Sequence, residues 1–398
     1  MAATPQFELL GLSIDELTRI VQELGQPPYR ARQLFEALYR QRIRALDDIT
    51  ALPKDFRRRL GERFTVGAPV VEQRFYSADG TIRYLVKLAD AERVETVWMP
   101  DGDGGEGSDE SESTALPPAA AASLANPRTP SRAAGQPRRA TICVSSQVGC
   151  ALNCRFCMTA LLGATRNLRP GEIVGQVQAV LNEHRVDLGR ERLNLVFMGM
   201  GEPFLNYDSF MQAVRLLVRG TGIAESHMTV STAGIVPRIR ELGGEPIRPR
   251  LAISLHAPND ALRERLMPLN RKWKLAELMA AARDFPLRER ERLTFEYVLL
   301  EDVNDGPEDA EQLVKLLRGI RCKVNLIALN AGPEIPFSTP SPERVGDFQS
   351  LLIRAGIGAY IRIPRGRDIF AACGQLKRTS TMPDFAQSST TKRAEITS

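Results

Sequence analysis

Residues Cys143 to Gly163 read CVSSQVGCALNCRFCMTALLG. Four of the chain's six cysteines lie in this run, and Cys150, Cys154 and Cys157 stand in the spacing C-x3-C-x2-C. Three thiolates on one short loop can each grip one iron corner of an iron–sulfur cube. A full cluster takes four ligands, so one iron is left open to a non-protein group. A closed structural zinc site asks for four protein ligands, commonly in paired C-x2-C halves. No second pair exists here, and none of the three histidines (His184, His227, His256) is near in sequence. Three buried thiols without a ligand are the remaining reading. The spacing favours the cluster.

Composition bounds the rest. At 398 residues and 43% hydrophobic content, the chain can build one large domain and a smaller one. With 25% charged residues and a net charge of +5, the basic excess is modest. It suits a partner bearing phosphates without requiring one. Cysteine usage points to a reducing compartment rather than a disulfide scaffold. The first thirty residues carry no signal-peptide core, and no run of about 18 apolar residues occurs. The expectation is a cytoplasmic protein with no membrane contact.

Along the chain, residues 1–68 read as a small helical domain. Ser13 to Glu16 has the form of a capping box ahead of Leu17, Ile20, Val21 and Leu24. A second helix carries Ala31, Leu34, Phe35, Leu38 and Tyr39, with Arg30, Arg32, Arg40, Arg42 and Arg44 around it. A third spans Asp55 to Phe64 and includes Arg57, Arg58 and Arg59. Such arginines can hold RNA phosphates or form an ordinary solvated face. Residues 69–100 turn to strands, with Ala78-Asp79-Gly80 as a hairpin signal. Glu95 lies on the strand that follows, where alternation alone makes it a solvent-facing carboxylate. Residues 101–138 are acidic and glycine-rich, then rich in alanine and proline, a composition expected to be a disordered insertion.

From 139 to 378, strand and helix patterns alternate. Strands are expected at 140–145, 193–198, 228–232, 251–255, 293–300, 324–329 and 359–363. Helices are expected at 171–184, 210–218, 274–284, 309–317 and 342–355. Alternation of this kind argues for parallel strands with crossover helices, an α/β sheet or barrel. Residues 379–398 read as a disordered tail.

These strings also carry a family resemblance. Cys150, Cys154 and Cys157, with Phe156 before the third, resemble the signature of radical S-adenosylmethionine (SAM) enzymes. VSSQVGCALNCRFC, VETV at 94–97 and RGRDIFAACGQL at 365–376 resemble one branch, the RlmN-type enzymes that methylate carbon 2 of adenine in RNA. GQPPYRARQLFEALYRQ at 25–41 resembles that family's accessory domain, which engages folded RNA.

The resemblance implies a partial barrel of about six β/α units, open on one side, with reactive groups at the C-terminal ends of its strands. It implies a 4Fe–4S cluster on Cys150, Cys154 and Cys157, and SAM used twice per turnover. Phe156 would pack beside the adenine of SAM, and Gly201 and Glu202, in GMGEP, would contact its amino group. Ser231 would bind its ribose or carboxylate, with Ser254, Leu255 and His256 forming a further contact and Asn330 facing the adenine half. Cys373 would be methylated by one SAM, and a 5′-deoxyadenosyl radical from the second would activate that methyl group. Cys143 would then help remove the C2 proton and close a transient disulfide with Cys373, with Glu95 a candidate proton acceptor. Cys322 has no such match.

The implied partners are 23S rRNA in the peptidyl-transferase region, tRNA beside the anticodon, and a reducing donor such as flavodoxin or ferredoxin. A C8-methylating relative of the Cfr type is the nearest alternative, and a non-catalytic metal-stabilised RNA-binding protein a more distant one. The family crosses the gap at 101–138 in a few residues, so the insertion is this chain's main departure. Deleting residues 104 to 134 should leave melting temperature and methylation rate nearly unchanged, because loop length changes closure entropy slowly. A large loss of either, in a thermal melt or a methyl-incorporation assay, would show that the segment packs or binds.

Overall fold

Ser13 begins the first helix as its sequence dictates. Its hydroxyl accepts from the Glu16 amide, and the Glu16 carboxylate accepts from the Ser13 amide at 2.7 Å. The computed structural model describes residues 7–100, 139–332 and 334–376; the expected insertion at 101–138 and the tail at 379–398 lie outside the described residues. Short strands β1 (Phe7–Glu8) and β2 (Phe64–Thr65) pair in parallel. They bracket α1 (Ile14–Glu23), α2 (Tyr29–Phe35) and α3 (Lys54–Gly61). Leu17, Val21, Leu34, Leu38, Phe56 and Leu60 are buried among these helices.

This helical layer is fastened to the rest by close backbone contact. The Tyr39 hydroxyl donates to the Leu12 carbonyl at 2.7 Å and accepts from the Gly11 amide at 2.9 Å, which fixes the Gly11 turn. Gly11 has φ +105° and lies against Gly171, in the first turn of α4 (Pro170–Glu183). The Gln178 amide of α4 donates to the Leu38 carbonyl at 2.9 Å.

A ten-stranded sheet forms the body. Strands β3 (Val70–Tyr76), β4 (Ile82–Lys87) and β5 (Arg93–Pro100) are antiparallel, and β5 pairs antiparallel with β6 (Arg139–Cys143). A short ribbon, β7 (Gln147–Gly149) with β8 (Ala164–Asn167), follows β6 and stands apart from the main sheet. Then come β9 (Arg192–Phe197), α5 (Tyr207–Leu216), β10 (Met228–Thr232), α6 (Val236–Gly243), β11 (Arg250–Ser254), α7 (Asp260–Leu266) and α8 (Leu275–Asp284). The chain continues through β12 (Leu293–Leu299), α9 (Pro307–Leu317), β13 (Cys322–Ala328), α10 (Pro342–Arg354) and β14 (Gly358–Ile361).

From β6 onward the sheet strands are parallel neighbours in chain order, joined by helical crossovers. This is the expected α/β body, with the antiparallel β3–β5 continuing the same sheet beyond β6. The sequence pattern missed α6 and α7. In α6 a proline occupies the first turn and glycines follow its end, so the helix is short and reads as loop. Among the described residues no helix is long and apolar enough to cross a membrane.

Register divides the sheet into two unlike faces. Ile142, Leu195, Val230, Ile253, Phe295 and Val324 lie on one face and belong to the main hydrophobic core. Glu95, Cys143, Ser231, Ser254, Glu296 and Asn325 lie on the other, where the strands carry their polar side chains. The site is built on that second face.

Gly171→Ala should test the docking of the helical layer. A Cβ there would lie 2.0 Å from the Leu10 carbonyl oxygen, a backbone atom that cannot swing aside. Alanine otherwise favours a helix by up to about 1 kcal/mol, so the sign of the change is diagnostic. Chemical denaturation should show a loss of roughly 1–3 kcal/mol; a gain would mean that the layer is not held at this contact.

Candidate active site

The cysteine loop leaves the end of β6 and is pinched shut at its base. The Cys150 amide donates to the Gly163 carbonyl at 2.8 Å. Gly149, at φ +81°, is where the strands approach most closely, since a Cβ there would meet that same oxygen at 1.9 Å. Inside the loop, the Arg155 amide donates to the Leu266 carbonyl at the end of α7. Leu152, Cys154 and Phe156 pack on an apolar patch formed by Ala233, Ala257, Leu266, Met267, Val298, Leu300 and Leu329. This patch is separate from the main core.

Burial raises the thiols, and for Cys150 and Cys154 repulsion from neighbouring acidic groups adds to it. Cys150 is pushed up to about 12, Cys154 is held well above the ordinary thiol value, and Cys157 is raised. For Cys154 the neighbouring Cys157, Cys150 and Glu202 all add to the effect, so the three thiols and this carboxyl share one neighbourhood. Among the described residues, no three His, Cys, Asp or Glu close around a single ion. Three thiols on one loop could each hold one iron of a polynuclear cluster, whose positive charge would offset theirs.

The GMGEP loop after β9 is laid against the residues preceding the cysteine loop. The Ser146 amide donates to the Met200 carbonyl, the Met200 amide to Ser145 Oγ, and the Glu202 amide to Gln147 Oε1. Gly199 and Gly201 permit this, because a Cβ at either would lie under 3 Å from Ser145 or Gln147. The Glu202 carboxylate is buried and accepts from the Phe204 and Ala233 amides at 3.0 and 2.8 Å. Burial nevertheless raises it to about 7.

Ser231 and Ser254 face each other across β10 and β11, with hydroxyl oxygens 3.1 Å apart. Leu255 is buried beside them. His256 is buried with a left-handed backbone, φ +58°, which non-glycine residues adopt only where the surroundings enforce it. Its Nδ1 accepts from the Val298 amide at 3.0 Å, so the ring proton belongs on Nε2. Burial and the nearby Arg263 lower it to about 3, which keeps the ring neutral. Phe156 meets it edge-on at 4.8 Å. Asn330, after β13, is buried with Oδ1 lacking a hydrogen-bond partner.

The loop bearing Cys373 closes over the cysteine loop. The Met158 amide donates to the Gly374 carbonyl at 2.7 Å and Thr159 Oγ1 to the Leu376 carbonyl at 2.8 Å. The Asn330 amide reaches the Cys373 carbonyl at 3.4 Å. The loop is also anchored to the β3–β4 turn. Asp368 accepts from Ser77 Oγ and the Ala78 amide, and Asp79 accepts from the Gly366 amide. Cys373 is exposed, whereas Cys143 is buried, and none of the six cysteines is disulfide-bonded. Cys322 sits on β13, its thiol raised to about 11 by burial.

Cys143 pairs in register with Val97, two residues from Glu95, so the thiol and the carboxylate lie on the same face of adjacent strands. Glu95 is not solvent-facing: it is fully buried in an ion pair with Arg83, whose guanidinium stacks over Phe75. Sequence reading missed three contributors: Arg83, Arg263, and the Ser145–Gln147 segment that seats the GMGEP loop.

Residues 144–317 match the model of the radical SAM superfamily, and residues 7–66 match the ribosomal RNA large subunit methyltransferase N-terminal domain. A probable dual-specificity RNA methyltransferase RlmN from Koribacter versatilis is 59% identical over 360 residues, covering 90% of this chain and 98% of the relative. The dual-specificity RNA methyltransferase RlmN of an Anaeromyxobacter species is 45% identical, covering 94% and 91%. The chain belongs to the RlmN family of radical SAM enzymes. A crystal structure of a radical SAM methyltransferase from Sphaerobacter thermophilus, 42% identical, superposes with TM-score 0.81 over 94% of this chain and 100% of that one. As an RlmN-family methyltransferase it uses a 4Fe–4S cluster and SAM.

Glu202 and His256, two of the shifted groups, give the cluster-free protein opposing pH dependences. Glu202 titrates higher folded (about 7) than as a free carboxyl (4.5), so its stabilising contribution is present below 4.5 and fades as pH rises through 7. His256 is lowered from 6.5 to about 3, so its contribution grows with pH between those values. Glu202→Gln removes the first trend and leaves the second. Urea unfolding at pH 5, 6 and 7 should show the wild type's stability relative to the variant declining as pH rises. A constant difference would mean that Glu202 titrates normally.

Proposed function

We propose that this enzyme methylates carbon 2 of adenine in RNA, in the peptidyl-transferase region of 23S rRNA and beside the anticodon of tRNA. The observation that carries this reading is the placement of Cys373. It is an exposed thiol on a loop whose backbone is hydrogen-bonded to the cysteine loop that would hold the cluster. Relatives matching nearly the whole chain are named dual-specificity RNA methyltransferases.

Cys150, Cys154 and Cys157 would hold the cluster. Phe156, Gly201, Glu202, Ser231, Ser254, Leu255, His256 and Asn330 would surround SAM. When bound, the two supply one-electron chemistry and methyl groups. The amidine carbon of adenine is itself electrophilic, so a methyl carrier on the protein is needed in place of direct polar transfer. Cys373 is accessible enough to serve as that carrier. Cys143 and Glu95 share the polar face of the sheet, where the thiol would help remove the C2 proton and the carboxylate accept it. Arg83 orients Glu95 for that role. Neutral His256 would add no charge to the wall that faces SAM.

The helical layer supplies the phosphate-binding surface. Its arginines are more heavily engaged than their sequence suggests: Arg42, Arg57 and Arg59 donate to backbone carbonyls, and Arg58 pairs with Asp55 and Glu62. Arg32 and Arg40 are exposed, and an open cleft of about 730 Å³ is lined by Arg44, Lys54, Arg57 and Arg58. RNA held there would present an unpaired or extruded base to the barrel mouth. Flavodoxin or ferredoxin would supply electrons.

The two reactive thiols should fail differently. Cys373→Ala removes the methyl acceptor, so neither methylated protein nor methylated RNA should form. Cys143→Ala should still capture the base but not release it. It should accumulate a covalent RNA–protein conjugate, visible as a nuclease-sensitive upward gel shift. Silence from both variants would contradict this division of roles.

A further inference from the structure

Arg263 is a fully buried arginine that the proposed chemistry does not use. It projects from α7 beneath the ends of β10 and β11. Its Nη2 donates to the carbonyls of Ala233 at 2.6 Å and Ser254 at 3.1 Å, and its Nε to that of Leu255 at 3.1 Å. Nη1 donates to Asn270 Oδ1 at 3.0 Å, and Asn270 in turn donates to Asp260 Oδ1 at 2.8 Å. No carboxylate is among its hydrogen-bond partners, so burial lowers it to about 10.

The three carbonyls belong to the places where the chain leaves two parallel strands and the sheet ladder can no longer satisfy them. They are also the backbone of the expected SAM contacts. Ser254 and Leu255 are two of those contacts, Leu255 adjoins His256, and the Ala233 amide donates to the Glu202 carboxylate. Gly234 makes room, since a Cβ there would lie 3.3 Å from Arg263 Nη2. One planar cation therefore fixes segments from two strands at once. A lysine, with a single point of attachment, cannot span them.

We propose that Arg263 is the positioning residue of the SAM site: it sets the spacing between the β10 and β11 lips, and through Ala233 the orientation of Glu202. The proposal rests on the SAM-site reading above, and the test separates the two.

Anaerobically reconstituted Arg263→Lys, Arg263→Gln and Ser231→Ala enzymes would be compared with wild type. The measurements are SAM Kd by equilibrium dialysis, the SAM-induced change in the electron paramagnetic resonance spectrum of the reduced cluster, iron content, melting temperature and RNA affinity. Both Arg263 variants should bind SAM about 10- to 100-fold more weakly, the range typical of residues that orient a site's ligands. They should blunt the spectral change while keeping iron content and RNA affinity. Arg263→Lys retains the charge and covers the case in which Arg263→Gln fails to fold. Wild-type SAM affinity in Arg263→Lys, with Ser231→Ala weakened, overturns the proposal alone, whether or not melting temperature falls. Wild-type affinity in all three overturns the SAM-site reading with it.

Discussion

Three half-buried thiols set beside a buried carboxyl resist ionising together unless positive charge sits among them. Cys150, Cys154, Cys157 and Glu202 meet this constraint on two adjoining loops, and each is raised by burial. In an apolar setting an unpaired anion is costly, so these groups favour a cation among them, as the proposed cluster would supply. Much of the surrounding structure holds these groups together. The Cys150–Gly163 hydrogen bond closes the loop, Gly199 and Gly201 let the second loop approach it, and the Gly374 carbonyl caps it from above.

The sheet makes that concentration of polar groups tolerable. Its apolar face is committed to the helices, which leaves the other face to carry Glu95, Cys143, Ser231, Ser254, Glu296 and Asn325 without weakening the core. Two pairs on that face offset part of the cost of burying polar groups. Arg83 meets Glu95, and Asn325 donates to Glu296 at 2.8 Å. Removing one partner of such a pair costs more than the pair contributes, because the other is left buried and unmatched. The body of the fold and the chemistry thus share strands while using opposite sides of them.

Much of this was legible in sequence because the signals were local. The cysteine spacing, the capping box at Ser13 and the alternation of strands and helices each depend on residues a few positions apart. What lay hidden depends on pairing across the fold. Glu95 alternates as a surface strand residue would, and only the β4–β5 register brings Arg83 to it and buries both. Arg263 is one arginine among 53 lysines and arginines until α7 turns it under two strand ends. The arginines of the helical layer cluster in sequence, and only the fold sorts them: Arg42, Arg57 and Arg59 donate to backbone carbonyls, whereas Arg32 and Arg40 are exposed.

The central claim is that one pocket brings an RNA adenine to Cys373 for methylation at carbon 2. The most direct test is mass spectrometry of nucleosides from unmodified ribosomal RNA and tRNA after incubation with the reconstituted enzyme, SAM and a reductant. The account predicts 2-methyladenosine from both RNAs. Methylation at carbon 8, or none by an enzyme that still cleaves SAM, would contradict it.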